Sequence, residues 1–465
     1  SWFFLPGSRL KYWNAPIDSA FDTVTQNGAS GPICREFRTI PASCGAEELN
    51  SQRGAGTVHE CATMRVEQVH LGHILGTGAV VAPVLGVFAP NFLAPLAILL
   101  VVALIAFCRF RGQSIPPLDR SLTTVVVLTT IWSGVSLFWT IDVSGALEKW
   151  LAVFVFAPLA LVASAVVSRL TPDECKTVGR AALAGILAGI FLILLEVSTG
   201  GFISRVVFPG ETFTLELFNR LPSVLLIFIW PAVAVLWSLS RLAAVAMLGV
   251  GVGVGSMLPN ESAFAGFCIG IVAFVAGWIV PKLTRTVLAT AMALGILVAP
   301  VMSFTVLDPE MVREKMPHVN PSLLHRLQIW EFTSRHIVEQ PLHGWGFNSA
   351  RKIPGGNERY LVKDIKDITI GQGDRLPLHP HNGALQVWLE LGFPGALALA
   401  GFLALMACRA GTIPDPGRRA AAFGMLSTIV PVWLFSFGVW QGWWLGVLIL
   451  ATLLMAVPLA AKSPE

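Results

Sequence analysis

Residues 92–112 read FLAPLAILLVVALIAFCRFRG, seventeen residues without a charge followed by Arg109 and Arg111. A helix needs about 20 apolar residues to cross a hydrocarbon core ~30 Å thick. The block therefore reads as a membrane span with a basic exit. The rest of the chain repeats this pattern. Of 465 residues 54% are hydrophobic and 13% charged, with a mean hydropathy of +0.69, against about 25% charged in a soluble domain. Too little polar surface is available to face water, which excludes an ordinary soluble enzyme and a disordered or collagen-like chain. The 32 basic and 28 acidic residues nearly cancel, to a formal charge of +4, so no acidic partner such as nucleic acid is implied.

Apolar blocks recur near 72–90, 92–109, 122–139, 147–167, 178–198, 221–239, 242–258, 262–280, 285–305, 383–407, 419–438 and 440–460. The expected fold is an all-α polytopic membrane protein of about twelve transmembrane helices, with a large helical loop between helices 9 and 10. Lys and Arg collect in short cytoplasmic loops. Here Arg109, Arg111 and Arg120 follow the second block, Arg169, Lys176 and Arg180 the fourth, and Arg241 the sixth. Lys282 and Arg285 follow the eighth, Arg409, Arg418 and Arg419 the tenth, and Lys462 the twelfth. The short odd-numbered exits, Thr140–Gly145 and Pro259–Glu261, carry almost none. Both termini are thereby expected in the cytoplasm, with segments 199–220 and 306–382 on the far face.

Four regions follow. Residues 1–63 are polar, hold Cys34, Cys44 and Cys61, and lack a signal-peptide core; they read as a leader outside the membrane fold. Residues 64–305 carry helices 1–9, residues 306–382 the long loop, and residues 383–465 helices 10–12 with a cytoplasmic tail. No CxxC pair occurs among the seven cysteines, so neither a zinc ribbon nor a disulfide framework is suggested. The alternating Gly249, Gly251, Gly253 and Gly255 sit inside an apolar block, without the Lys-Ser/Thr of a phosphate loop. Gly249 and Gly253 have helix-packing spacing.

The long loop spans 77 residues and holds six of the nine histidines, His318, His325, His336, His343, His379 and His381. A structureless connection that long is uncommon and usually functional. Pro321 to Gln340 has the period of an amphipathic helix. Leu323, Leu327, Trp330, Ile337 and Val338 share a face, Arg326 stands at its edge, and His325 and His336 fall opposite and are expected in water.

The loop ends in LHPHNGALQVWLELG, residues 378–392. Asn382 is a good N-cap, and His381 just outside it faces the positive end of the helix dipole. That end disfavours imidazolium and attracts anions. A neutral histidine base beside a phosphate and a pair of interfacial loop histidines, His379 and His381, both satisfy this pattern. A metal site would need a third ligand. Glu390 lies nine residues beyond His381, on roughly the opposite helical face and about 13 Å deeper. It cannot orient His381 along one unbroken helix, and a partner on another helix is expected for so costly a buried carboxylate. Arg220, in Phe218-Asn219-Arg220-Leu221-Pro222, is either a snorkelling anchor or a bidentate phosphate clamp.

Together these segments resemble the O-antigen ligase and polymerase membrane family. His325-Arg326-Leu327-Gln328-Ile329-Trp330 and Pro341-Leu342-His343-Gly344-Trp345-Gly346-Phe347 resemble the start of that family's large periplasmic loop, and the HPHNGALQVWLELG run its end. Asn219-Arg220, Trp230-Pro231, Trp132-Ser133 and Ser136–Trp139 are similar to its earlier signatures, and the likeness spans roughly residues 72–460. Pro259-Asn260-Glu261-Ser262-Ala263 departs from the family's Ser-rich or Ser-Arg text, which puts a role for that loop in doubt.

The resemblance implies a metal-independent, cofactor-free, inverting glycosyl transfer at the periplasmic face of the bacterial inner membrane. The donor would be a glycan on undecaprenyl pyrophosphate and the acceptor a sugar hydroxyl of lipid A core. His381 would be the general base, Arg220 and Arg326 would hold the pyrophosphate, and His379, Asn382 and Glu390 would support them. Polymerisation of lipid-linked repeat units would use the same residues with a different acceptor. A transporter, the reading from another class, predicts two repeated halves with ionisable residues at mid-membrane, and no such repeat is visible.

Overall fold

Caps and prolines divide the apolar text into helices. Asp119 accepts a hydrogen bond from Leu122 N at 3.0 Å, Asn260 from Ala263 N at 2.9 Å and Asn382 from Leu385 N at 3.1 Å. Thr171 and Glu174 form a reciprocal capping box. Each cap satisfies an amide that a helix start leaves orphaned. The computed structural model describes residues 70–207, 213–316, 320–363 and 369–457, all within one unit, Ala62–Glu465. The expected leader 1–63 and positions His318 and Lys462 lie outside the described residues.

The helices are α1 (Leu71–Phe88), α2 (Leu93–Phe110), α3 (Arg120–Val135), α4 (Val143–Val167), α5 (Pro172–Thr199), α6 (Phe202–Val207), α7 (Leu221–Leu239), α8 (Arg241–Met257), α9 (Glu261–Ile279), α10 (Pro281–Phe304), α11 (Pro309–Lys315), α12 (Pro321–Glu339), α13 (Gly383–Gly411), α14 (Pro416–Phe435) and α15 (Gly442–Ala456). The fold is that of a helical polytopic membrane protein. Among the described residues, nine helices are long and apolar enough to cross a membrane: α1 to α5, α7, α9, α10 and α13, with the second and third counted together with their flanking short turns. The other three blocks are also helical. At 1.5 Å per residue α8 and α15 are only ~23–26 Å long, and α14 opens on Arg418 and Arg419.

The chain is not purely α. Inside the long loop β1 (Arg359–Lys363) pairs antiparallel with β2 (Thr369–Asp374), Arg359 opposite Asp374 and Leu361 opposite Gln372. This hairpin was not expected; its strands are short, and neither shows the apolar alternation that marks a half-buried strand.

Hydrogen bonds between loops show that successive long helices run in opposite directions. At one end Asn91 meets Arg220, Asn219 meets Asn260, Ser262 meets Ser436, and Thr140 meets Phe347. At the other end Gly72 N donates to Glu174, Arg409 pairs with Asp119 at 2.6 Å, and Arg418 donates to Met455 O. The basic exits therefore gather at a single end, opposite the long loop. The helical repeat glycines are used two residues away from the expected pair. A Cβ on Gly251 would stand 2.6 Å from Phe267 and one on Gly255 2.8 Å from Phe264, whereas Gly249 and Gly253 face open space.

Candidate active site

α13 organises the end that carries the long loop. Its first ten residues, Gly383 to Gly392, are all buried, and the helix then breaks at Gly392 (φ 63°, ψ −160°) ahead of Pro394. A break frees backbone groups that need new partners, and three of them find partners outside the helix. Leu389 O accepts from Trp345 N at 2.8 Å, Leu391 O from Trp132 Nε1 at 2.8 Å, and Phe393 N donates to Pro341 O at 2.9 Å. The 341–347 segment thus lies directly against the kink. A Cβ on Gly392 would sit 2.5 Å from Leu342 O, so only glycine fits both this conformation and this approach. Three stretches singled out in the sequence, around Trp132, Pro341–Phe347 and Leu389–Gly392, meet at this one point.

Buried polar groups run up α13 from the kink. Glu390 is fully buried and accepts from Asn348 N at 2.8 Å, Gln386 Nε2 at 3.0 Å and Trp440 Nε1 at 2.6 Å. Gln386 Oε1 accepts from Val439 N at 3.0 Å. The expected partner on another helix is corrected here: Glu390 binds its own helix and two loops. It welds the 436–441 turn and the 344–350 segment onto the base of α13, and does not touch His381.

At the top stands the His379–Asn382 turn. Trp330 Nε1 on α12 donates to Pro380 O at 3.0 Å, and Asn382 caps α13. His381 has φ 51°, one of two non-glycine residues with positive φ among the described residues. Such a conformation costs on the order of 1–3 kcal/mol and is held by its surroundings. Its backbone N–H donates to His379 Nδ1 at 3.1 Å, and the two rings lie 4.4 Å apart. Its Nδ1–H donates to Ser436 O at 3.3 Å. A carbonyl only accepts, so Nδ1 carries the proton and Nε2 is left as the bare nitrogen. Burial, with the Arg326 charge beside it, pushes the His381 pKa down from 6.5 to about 4, against the Ser436 contact, which raises it. Burial, then the neighbouring His381 and Arg351, takes His379 down to about 3. Both rings are neutral near pH 7.

Arg326 and Arg220 approach from different elements. Arg326 on α12 is half-buried and makes no hydrogen bond or ion pair among the described residues; Glu261 is close enough only to raise its pKa, against burial, which lowers it. Arg220, also half-buried, donates to Asn91 Oδ1 at 2.6 Å and stacks on Trp443, its Cζ 5.1 Å from the ring centre. Burial lowers its pKa as well. Trp443 Nε1 donates to Gln441 Oε1 at 3.0 Å, and Gln441 Nε2 lies 3.5 Å from His379 Nε2. Arg326 is therefore near enough for its charge to act on His381, while Arg220 is linked to the histidine pair through Trp443 and Gln441. Neither guanidinium has a carboxylate partner among the described residues. Half-buried cations in that condition favour an anionic occupant.

Several expectations change. His325 and His336 are half-buried and not fully in water: His325 Nε2 lies 3.2 Å from Asp374 O, and His336 packs between Phe332 and Trp345. Leu323 and Val338 are 40% and 63% exposed, and Leu324, Ile329 and Thr333 are buried in their place. The hairpin covers one flank of α12, so its buried surface is wider than one apolar stripe. The departing Pro259–Ala263 loop does take part. Asn260 holds Asn219 O at 2.8 Å, and Ser262 holds the Ser436 hydroxyl at 2.9 Å, so this loop fixes both the Arg220 turn and the carbonyl that orients His381. Nothing in the sequence marks Ser436, Asn91 and Gln441, which lie in short apolar connections, or Trp443, an indole in the first turn of an apolar helix, because no chemistry-bearing pattern repeats there. Among the described residues no three His, Cys, Asp or Glu side chains converge on a point where a metal ion could sit.

A neutral imidazole and two guanidiniums without a carboxylate partner among the described residues thus stand at the loop-covered end of the helical bundle, an arrangement able to accept a proton beside a bound anion. The likeness drawn from the motifs is borne out: residues 226–400 match the family model described as O-antigen ligase. That stretch contains Arg326, His379, His381, Asn382 and Glu390, and Arg220 lies just ahead of it. Proteins of Rickettsia conorii and Rickettsia prowazekii, both named "Putative polysaccharide ligase", are 28% identical over 337 residues, covering 71% of this chain and 79% and 80% of theirs. One of Rickettsia bellii with the same name is 28% identical over 357 residues, 75% of this chain and 81% of its own. No solved structure matches the chain.

Proposed function

We propose that the protein is an inverting, metal-independent glycosyltransferase of the inner membrane, with its site on the periplasmic face and both termini in the cytoplasm. It moves a glycan from undecaprenyl pyrophosphate to a sugar hydroxyl of lipid A core. The observation that carries this reading is His381, held in one tautomer by Ser436 O, with the charge of Arg326 acting on it and no ion pair to Arg326 among the described residues. His381 Nε2 takes the proton of the acceptor hydroxyl. The acceptor oxygen attacks the anomeric carbon from the side opposite the diphosphate, the bond between that carbon and the diphosphate oxygen breaks, and its electron pair leaves with the diphosphate. A positioned base is worth about 10²–10⁴ in rate. Arg326 and Arg220 stabilise the charge gathered on the departing phosphates. The gathering of basic loops at the opposite end supports this placement in the membrane. Twelve membrane crossings are part of this reading, the shorter α8 and α15 being accommodated by local bilayer thinning.

Purified protein in vesicles, given a glycan on undecaprenyl pyrophosphate and two acceptors, tests it. Transfer to lipid A core is the expected result. Transfer only to a second lipid-linked repeat unit would make the protein a polymerase using the same residues. No transfer to either acceptor, with movement of a solute across the vesicle wall, would refute the enzymatic reading.

A further inference from the structure

The flank of α12 that carries His325 borders a concavity. It has a volume of about 240 Å³ and lies between α12 and the β1–β2 hairpin, lined by Gln328, Glu331, Phe332, Arg335, Tyr360 and Arg375. That volume is below the ~300–1,000 Å³ of pockets that hold drug-sized ligands, and suits a group the size of a single sugar ring. Its lining mixes two aromatic rings with planar polar groups whose charges are internally matched. Arg335 pairs with Glu331, Arg375 lies 3.5 Å from Glu358, and the Arg375 Cζ stands 5.9 Å from the Phe332 ring centre and 6.0 Å from that of Tyr360. The Gln328 Oε1 atom is buried with no hydrogen-bond partner among the described residues. A buried acceptor without a donor is unfavourable, and Gln328 lines the cavity, so a donor bound there can satisfy it. A sugar ring offers an apolar C–H face for the aromatic rings and a rim of hydroxyls for Gln328, Glu331 and the arginines.

We propose that this cavity is a carbohydrate subsite that grips a sugar residue of the glycan substrate away from the bond being transferred. This rests on the proposed function only for which glycan arrives. The two sites share α12. His325 lines the cavity, and its neighbour Arg326 turns roughly 100° away toward His381. A glycan whose reactive end lies beside Arg326 can therefore run round one helix into the cavity. Matched internal charges favour a neutral or zwitterionic sugar over a strongly acidic one.

Isothermal titration of the full-length detergent-solubilised protein tests this with two phosphate-free probes: repeat-unit oligosaccharide released from the surface polysaccharide by mild acid, and core oligosaccharide. One probe should bind, and which one identifies the subsite as serving donor or acceptor. Phe332→Ala should weaken that binding at least tenfold. Gln328→Met should weaken it several-fold without lowering the thermal midpoint, because it removes an unsatisfied acceptor at nearly constant volume. His381→Ala and Arg326→Lys should leave binding unchanged. The subsite is refuted if neither probe binds wild type, or if Gln328→Met and Phe332→Ala bind as tightly as wild type. Oligosaccharide binding that depends on Phe332, without glycan transfer in vesicles, would sink the transferase reading and leave the subsite standing.

Discussion

The two halves of α13 are joined at the Gly392 kink and differ in their environment. From Gly383 to Gly392 every residue is buried, and the polar Asn382, Gln386 and Glu390 each have partners. From Phe393 to Gly411 the buried set reduces to Gly395, Ala396, Ala400, Leu403, Ala407 and Ala410, while Phe393 and Leu397 are 45% and 50% exposed. The second half has the period of a helix with one face on protein and the other on lipid. The first half is enclosed by loops and neighbouring helices and can carry polar chemistry, because Asn382, Gln386, Trp388 and Glu390 each have a hydrogen-bond partner there. Gly392 separates the two, and the strand of chain that fills the break, residues 341–347, is the one that brings the long loop over the site.

This contrast can be broken at graded cost. The largest effect belongs to His381→Ala, which should lower transfer in vesicles by about 10²–10⁴ while the protein inserts and unfolds as wild type; near-normal transfer would remove His381 as the base. Next is Gly392→Ala, which forces a positive φ on a side chain and drives its Cβ to 2.5 Å from Leu342 O. A loss of about 1–3 kcal/mol from the backbone alone should appear as a lower thermal midpoint in detergent. Its control in the lipid-facing half is Gly401→Ala, where no atom lies within 4 Å; there a gain of up to about 1 kcal/mol is expected from helix propensity. Equal midpoints for the two variants would show that the break is not required.

Glu390→Gln should cost about 1–3 kcal/mol, because Glu390 accepts three N–H bonds and an amide offers one oxygen and two further hydrogens. Thermal unfolding reads this directly, and an unchanged midpoint would remove the welding role.

The smallest effect is on pH dependence. With the His381 pKa held near 4, the acid limb of kcat/KM lies close to pH 4 and not at 6.5. Arg326→Gln removes a positive neighbour, which favours imidazolium, so the limb should move to higher pH. A limb at 6.5 in wild type, or no movement in the variant, contradicts the placement of Arg326 beside His381. Folding responds to the same shift. Between pH 6.5 and about 4 the unfolded chain binds the proton that the native His381 refuses, so stability falls through that window as pH is lowered.

The sequence by itself determined the class of fold, the helical blocks and the end at which basic loops collect. These follow from local quantities: run length against bilayer thickness, and Lys/Arg position relative to each run. It also marked His381, Asn382, Arg220 and Arg326, because histidine and arginine at helix starts stand out in apolar text. What tertiary structure alone decided was who holds them. The Ser436 carbonyl that sets the His381 tautomer and the Trp443 ring under Arg220 come from segments tens to hundreds of residues away in sequence. A backbone carbonyl leaves no trace in residue type, and an indole in a membrane helix looks like any other apolar residue. The hairpin over α12, and with it the cavity, was hidden for a related reason: five- and six-residue strands carry too short a pattern to be told from loop, and only packing against a helix makes them sheet.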